Sequence, residues 1–347
     1  MKIHFTVGLY YCVHNFNHNI MNIILNTFGT ALIRESENFA ILHSDGKHTI
    51  PLAEVKSISI SSGAQITSDA ALLAIENEID VLFVDAKGNP LGRVWSVKYG
   101  SISNIRRKQL DFSLSNEAIK WIKEVLMQKI DNQIALLVSV VPMDMYAESN
   151  FEANLNRLND YKNKISDIKG DIISDVAPSL RGWEGASAKI YFDTINKVLP
   201  IEFQFSSRSQ HPATDMFNAM LNYGYGILYG KIEGSLIRAG IDPYVGIFHR
   251  NDYNRPVLVY DVIELYRIWV DYVLINLCMQ KALDKDCFSV QSDGSYWLES
   301  LGRRILIQSV NDYLSEHITI KSLTRSRETH IEWYAQQLAQ QFLKLKE

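Results

Sequence analysis

Cysteine is scarce in this chain: only Cys12, Cys278 and Cys287 occur among 347 residues. That number and spacing exclude a disulfide framework and a Cys-rich zinc site, and fit a reducing compartment. Long apolar runs are missing as well. The greasiest stretch, Ile268 to Met279, is broken by Asp271 and Asn276 and falls short of the roughly 20 apolar residues of a membrane helix, so a cytoplasmic chain is expected. The first twenty residues lack the basic start, apolar core and small-residue cleavage site of an export signal. Cys12, His14 and His18 lie there without a second cluster at zinc-finger spacing. Charge of one sign is also lacking. At a net charge of -4, a polyanionic partner has to be met by local groups of Lys and Arg. There is neither an internal repeat nor a low-complexity tract.

What is present suits two packed domains: 47% hydrophobic and 21% charged residues, a composition that argues against disorder. From Met21 to Tyr99 short β-type runs follow one another, among them Ile23-Ile24-Leu25, Phe39-Ala40-Ile41-Leu42, Val55 to Ile60 and Val81 to Val84, with Asp45-Gly46 and Lys87-Gly88-Asn89-Pro90 as turns. Thr67 to Asn77 interrupts them. Its Thr/Ser start and the spacing of Ala71, Leu72 and Ile75 predict one short helix under the sheet. After Gly100 the segments are long and amphipathic. Pro212 is expected to open a long helix that Gly240 stops, Pro256 to open another, and residues 328 to 345 to form the last. A hairpin with an Asp-Gly turn is expected between Phe288 and Leu298.

Four segments carry residue combinations suited to chemistry. In Arg181-Gly182-Trp183-Glu184-Gly185-Ala186-Ser187-Ala188-Lys189 one carboxylate lies among small residues, where other backbone or a phosphate can come close; a solvated helix face is the plainer reading. Asp242 to His249 runs through a proline turn and a glycine to a histidine, which is a common ligand of transition metals or else a capping or core-edge side chain. In Arg255 to Arg267, a helix opened by Pro256 would put Asp261 and Glu264 at i and i+3 on one side. Two carboxylates in an apolar surround require a cation, unless they form an exposed acidic face bridged to Arg267. Arg208 to Tyr225 begins the long helix, with Asp215, Asn218 and Asn222 as polar ties between helices.

Taken in order, WEGASAKIYF, PATDMFNAMLNYGYGIL, AGIDPYVGIFH and RPVLVYDVIELYR resemble the large integrase subunit of CRISPR adaptation, the first core CRISPR-associated endonuclease family. The β-type front resembles that family's N-terminal domain, so the likeness runs from Met21 almost to the end. It implies an α+β fold: a small N-terminal β-rich domain followed by a larger all-α catalytic domain. Residues 1–20 would be an extension or follow an upstream start, 21–100 a β-rich dimerisation domain, and 101–347 the α-helical catalytic domain. The implied activity is that of a metal-dependent DNA endonuclease and integrase, which inserts new spacer DNA into a CRISPR array by attack of a 3′-hydroxyl on a phosphodiester.

Residue by residue, the family's metal ligands and catalytic residues fall on Glu184, His249 and Glu264, the last being Asp in some members. Asp261 is then a neighbour that holds the metal directly or through water. Two carboxylates with one imidazole suit Mg²⁺ or Mn²⁺. Arg181, Lys189, Arg208, Arg238, Arg250 and Arg255 are candidate DNA contacts, with Arg303, Arg304, Lys321, Arg325 and Arg327 as a further basic group. The implied partners are double-stranded DNA (spacer precursor and CRISPR repeat), a second copy in a homodimer built on edge strands around Ile58 and Phe83, and the small second integrase subunit of CRISPR systems. A stand-alone metal-dependent nuclease acting on branched DNA and a non-catalytic DNA-binding scaffold are the alternatives.

Overall fold

A computed structural model describes residues 10–11, 21–85, 90–94, 102–143, 150–210, 212–249, 255–320 and 322–345. The segment holding Cys12, His14 and His18, and also Arg250 and Lys321, lies outside these. The chain divides into two compact units, residues 1–99 and 100–347. Each has its own hydrophobic core, and the two cores share no residue.

The first unit holds β1 (Tyr10–Tyr11), β2 (Met21–Leu25), β3 (Ala31–Glu35), β4 (Asn38–His43), β5 (Gly46–Ile50), β6 (Val55–Ser61), β7 (Gln65–Ile66), α1 (Ser68–Glu76), β8 (Asp80–Val84) and β9 (Pro90–Val94). Alternation decides which way each strand faces: β2 buries Met21, Ile23 and Leu25 and leaves Asn22 and Ile24 partly exposed. The strands form a five-stranded sheet in the order β1-β2-β6-β8-β9 and a four-stranded sheet in the order β5-β4-β3-β7. In the larger sheet β2, β6 and β8 run parallel, and α1 makes the crossover from β6 to β8. The Thr67 hydroxyl caps that helix by accepting from the Ala70 N–H at 3.3 Å. Two details differ from the sequence reading. Tyr10–Tyr11 extends the sheet by pairing antiparallel with β2. Ile58 and Phe83 lie on β6 and β8, which are inner strands paired on both sides, so the backbone there offers no open edge.

The second unit is mostly helical: α2 (Ile102–Ser113), α3 (Asn116–Val140), α4 (Phe151–Asp167), α5 (Ile173–Val198), α6 (Met216–Arg238), α7 (Val257–Ile263), α8 (Arg267–Met279), β10 (Phe288–Val290), β11 (Tyr296–Leu298), α9 (Ser300–Ser315), β12 (His317–Ile320), β13 (Leu323–Ser326) and α10 (Arg327–Leu343). Two small hairpins accompany its helices. The hairpin β10–β11 forms as the Asp-Gly turn suggests, pairing Phe288 with Leu298. The second hairpin, β12–β13, has no Gly or Pro turn signature and was not anticipated. Among the described residues no helix is long and apolar enough to cross a membrane.

Helix α6 begins after Asp215 rather than at Pro212, because the Asp215 carboxylate accepts from the Asn218 N–H at 2.7 Å and satisfies the first turn there. It ends where expected. Gly240 has φ +80°, and the Ile241 N–H reaches back to the Leu236 carbonyl at 3.0 Å, a left-handed C-terminal stop. Helix α7 ends at Ile263 and does not run on to Arg267. The Leu265 and Tyr266 N–H groups bond to Val262 and Ile263, three residues back, and this tighter turn resets the chain before α8.

Candidate active site

Asp261 and Glu264 lie one turn apart, Glu264 still in helical conformation at the end of α7, yet their side chains take different partners. Asp261, with no exposed surface, turns toward the loop between α6 and α7. Its Oδ2 accepts from the Ile247 N–H at 2.9 Å and the Phe248 N–H at 3.0 Å. Its Oδ1 accepts from the His249 N–H at 3.1 Å and stands 2.7 Å from the His249 Nδ1. These contacts use its acceptor capacity, so Asp261 builds the loop and orients the imidazole. With Nδ1 donating to Asp261, Nε2 carries the lone pair of the neutral ring. Burial alone would lower the His249 pKa, but the hydrogen bond and charge of Asp261, with Glu184 and Glu264 beyond, raise it above its ordinary value.

The same loop is held from two other helices. The Arg181 guanidinium, from α5, donates to the Phe248 carbonyl at 3.0 Å and lies 5.3 Å from the Phe248 ring centre. From α2, the buried Gln109 amide donates to the Asp242 and Val245 carbonyls at 2.8 and 2.9 Å and accepts from the Asp242 N–H. Gly246 is obligatory: a Cβ there would stand 2.1 Å from the His249 carbonyl oxygen and 2.7 Å from Val257 Cγ2. The glycines beside Glu184 differ. A Cβ at Gly182 or Gly185 would meet open space, so the small residues there admit no neighbouring backbone within this unit.

Glu184, in the middle of α5, and Glu264, in the turn between α7 and α8, converge on a residue that the sequence reading missed. Lys129, on α3, donates from Nζ to Glu184 Oε1 at 2.7 Å and stands 2.6 Å from Glu264 Oε2. The Arg267 Nε donates to the other Glu264 oxygen at 2.9 Å. Glu264 Oε2 is buried, with the Lys129 ammonium as its counter-charge. Burial would raise the Glu264 carboxyl, but Arg267 and Lys129 hold it at about 2. Burial would lower the Lys129 ammonium, but Glu264 and Glu184 raise it above its usual value. The signal was legible in principle: Lys129 falls on the apolar stripe of α3 between Leu126 and Ile130, all three buried, where a lone lysine requires a partner.

Beyond Arg267 a polar network crosses the helices. The Tyr191 and Tyr225 hydroxyls donate to the two oxygens of Asp271 on α8 at 2.7 and 2.5 Å. The guanidinium groups of Arg267 and Arg208 lie 4.6 and 5.7 Å from the Tyr225 ring centre. Arg208 donates to Asn218 at 2.9 Å, to Asn222 at 2.7 Å and to the Ser209 carbonyl, so these asparagines tie residues 208–209 to α6. Burial, with Arg267 adding to it, lowers the Arg208 pKa. The other candidate cations are more peripheral. Lys189 pairs with Asp193 at 3.0 Å on the surface, Arg238 with Glu332 at 3.1 Å, and Arg255 is exposed before α7.

Among the described residues no three His, Cys, Asp or Glu side chains are gathered tightly enough to hold a metal together. The donor set nevertheless suits a divalent ion. Two carboxylates already share one cation, and a carboxylate-oriented imidazole lies within reach of their charge.

These residues lie on the helical unit of a chain whose other unit is β-rich. The particular family follows from comparison: the sequence profile described as CRISPR associated protein Cas1 matches residues 23–312, and the chain belongs to the Cas1 family. It is 30% identical over 322 residues to the CRISPR-associated endonuclease Cas1 1 of Archaeoglobus fulgidus, spanning 88% of this chain and 91% of that relative. Its fold is similar to that of a casposase bound to integration product, with a TM-score of 0.80 and 21% identity over 94% of this chain and 91% of that one. It is also similar to a chain of a Cas6-RT-Cas1–Cas2 complex, with a TM-score of 0.79 and 22% identity over 95% of this chain and 36% of that one. At these identities the structural likeness shows the fold alone.

Proposed function

We propose that this chain is a metal-dependent DNA endonuclease and integrase of CRISPR adaptation, which joins the 3′-hydroxyl of a captured DNA end to a phosphodiester at the array. The observation that carries this reading is the convergence of Glu184 and Glu264, 80 residues apart in sequence, on one buried cation beside the Asp261-oriented His249. Mg²⁺ or Mn²⁺, when bound, would neutralise the charge that builds on a phosphodiester under in-line attack. Glu184 and Glu264 supply anionic oxygens for it, and His249 a ring nitrogen fixed in direction by Asp261. Arg267 and Arg208 bring positive charge to the same side of the unit. Arg208 donates to the amide oxygens of Asn218 and Asn222 and to the Ser209 carbonyl, neutral acceptors that leave its charge available to a phosphate.

Relatives named as Cas1 endonucleases, and fold neighbours seen with an integration product and in a Cas1–Cas2 complex, support the remaining parts of the proposal. These are DNA as substrate and the small second integrase subunit as partner; double-stranded DNA and a homodimer as the working unit complete the reading on the family resemblance alone. The test is a gel assay of DNA joining with Mg²⁺ and Mn²⁺. Glu184→Gln, His249→Ala and Glu264→Gln are each expected to reduce joining by about a hundredfold or more, since each removes a group that stabilises transition-state charge. Near-normal joining by Glu184→Gln in both metals would overturn the assignment. Cutting of branched DNA without joining would favour the stand-alone nuclease, and DNA binding without any metal-dependent reaction the scaffold.

A further inference from the structure

We infer that the Lys129 ammonium is this chain's own cation between Glu184 and Glu264, which a divalent ion must displace, so that Lys129 positions the two carboxylates before the ion arrives and sets how tightly the ion is held. The inference rests on the metal-dependent reading above and adds to it a residue from a third helix. Three observations support it. The Lys129 side chain is only 9% exposed, so its charge is committed to these partners rather than to solvent. Its Nζ faces one oxygen of each glutamate at 2.7 and 2.6 Å, and these are the oxygens that two ligands from different elements would turn toward a shared ion. The glutamates are also gathered on Lys129 and not on His249, in keeping with the absence of a three-ligand group among the described residues.

Charge counting makes the exchange necessary. Glu184 and Glu264 carry two negative charges, which Lys129 and Arg267 already balance. An ion bound by the same two oxygens, at the roughly 2.1 Å of Mg²⁺–oxygen contacts, would stand within a few ångströms of the ammonium. No further counter-charge would lie between them, and their repulsion in a buried place is large. Without either cation the two carboxylates would repel each other and pull the α7–α8 turn away from α5. Lys129 thus keeps the ligands together at the expense of affinity for the metal.

The experiment is calorimetric titration of Mn²⁺ into the full-length chain without DNA, for wild type, Lys129→Met, Lys129→Arg and Glu184→Gln. Lys129→Met is expected to bind Mn²⁺ at least about tenfold more tightly, because a charge-assisted contact no longer has to be broken. Lys129→Arg, which keeps the charge, is expected to show no such gain. Unchanged or weaker binding by Lys129→Met would overturn the inference. Glu184→Gln separates this from failure of the underlying reading: if it binds Mn²⁺ like wild type, the metal site itself is misassigned, whereas its loss of binding beside an unchanged Lys129→Met rejects only the role of Lys129. Because Lys129→Met leaves Glu184 without its counter-charge and Glu264 with Arg267 alone, which endangers folding, a second measurement uses wild type alone. The Lys129 ammonium resonance in ¹⁵N NMR, protected by burial in the metal-free chain, is expected to shift or vanish as Mg²⁺ saturates. A resonance unchanged at saturation would overturn the inference as well.

Discussion

At the scale of single residues, Asp261 and Glu264 show how two acids three positions apart take different work. Asp261 accepts three backbone N–H groups and the His249 ring. In Asp261→Asn an amide NH₂ would face donors, leaving buried groups unsatisfied at a cost of about 1–3 kcal/mol. The metal-free chain is therefore expected to melt several degrees lower, with His249 released; an unchanged melting temperature would contradict the role given to Asp261. Glu264→Gln breaks a buried ion pair with Lys129 and Arg267, and losing one partner of such a pair costs about 3–5 kcal/mol. It should lower metal-free stability, although removing one charge from a bare acidic cluster would raise it. Urea unfolding of both variants without metal checks the two signs. Glu184, His249 and Glu264 were named through the family resemblance of their segments; the structure gathers the two glutamates on Lys129 and sets His249 against Asp261. Lys129 and Gln109 carry only a weak sign, a polar residue on the apolar stripe of a helix; the sequence shows that a partner is needed, and the fold alone shows which.

At the scale of elements, the loop from Gly240 to His249 and the network on α8 decide whether the site holds its shape. Gly246→Ala would drive a Cβ into the His249 carbonyl, so the loop must open and lose bonds to Asp261. Overpacking of this kind costs about 1–3 kcal/mol. Both the melting temperature and the stabilisation by Mn²⁺ are expected to fall together, and a fall in one without the other would separate loop from site. In the network, burial pushes the Asp271 carboxyl up to about 6 against the pull of Tyr225, Tyr191 and the two arginines. A carboxyl raised on folding contributes stability that is fully present below its unfolded value near 3.9 and lost as pH rises through its folded value. The stability of wild type relative to Asp271→Asn is thus expected to decline between about pH 4 and pH 7 and to level off above; unfolding curves across that range test the sign. The helix boundaries here were only partly legible. Gly240 announces its own stop, but whether Pro212 or Asp215 begins α6, and whether α7 continues to Arg267, depends on which side chains satisfy the terminal N–H groups and on packing that no local pattern reports.

For the whole molecule, the division at Tyr99 and Gly100 falls where short β-type runs give way to long amphipathic ones. The β-type spacing announced the strands, but it did not reveal that Ile58 and Phe83 lie inside a sheet, because strand order is set by crossovers between distant segments. The two cores share no residue, and the unit of residues 100–347 is of a size at which a single core folds alone. Residues 102–347 are therefore expected to unfold in one cooperative transition and to keep the full chain's stabilisation by Mn²⁺, since Lys129, Glu184, His249, Asp261 and Glu264 all belong to this unit. The proposed homodimer adds a second arm. Strand addition at the β5 edge is disfavoured, because Lys47 and Thr49 there are tied to Glu35 on β3 and a lysine on an open edge deters pairing. A dimer built on the first unit would then not extend the four-stranded sheet at β5. Light scattering at micromolar concentration is expected to give twice the chain mass for the full protein and a single mass for residues 102–347. A monomeric full chain would reject the homodimer, and a dimeric 102–347 would move its interface to the helical unit. Loss of the Mn²⁺ effect in a well-folded 102–347 would mean that the first unit contributes to the metal site.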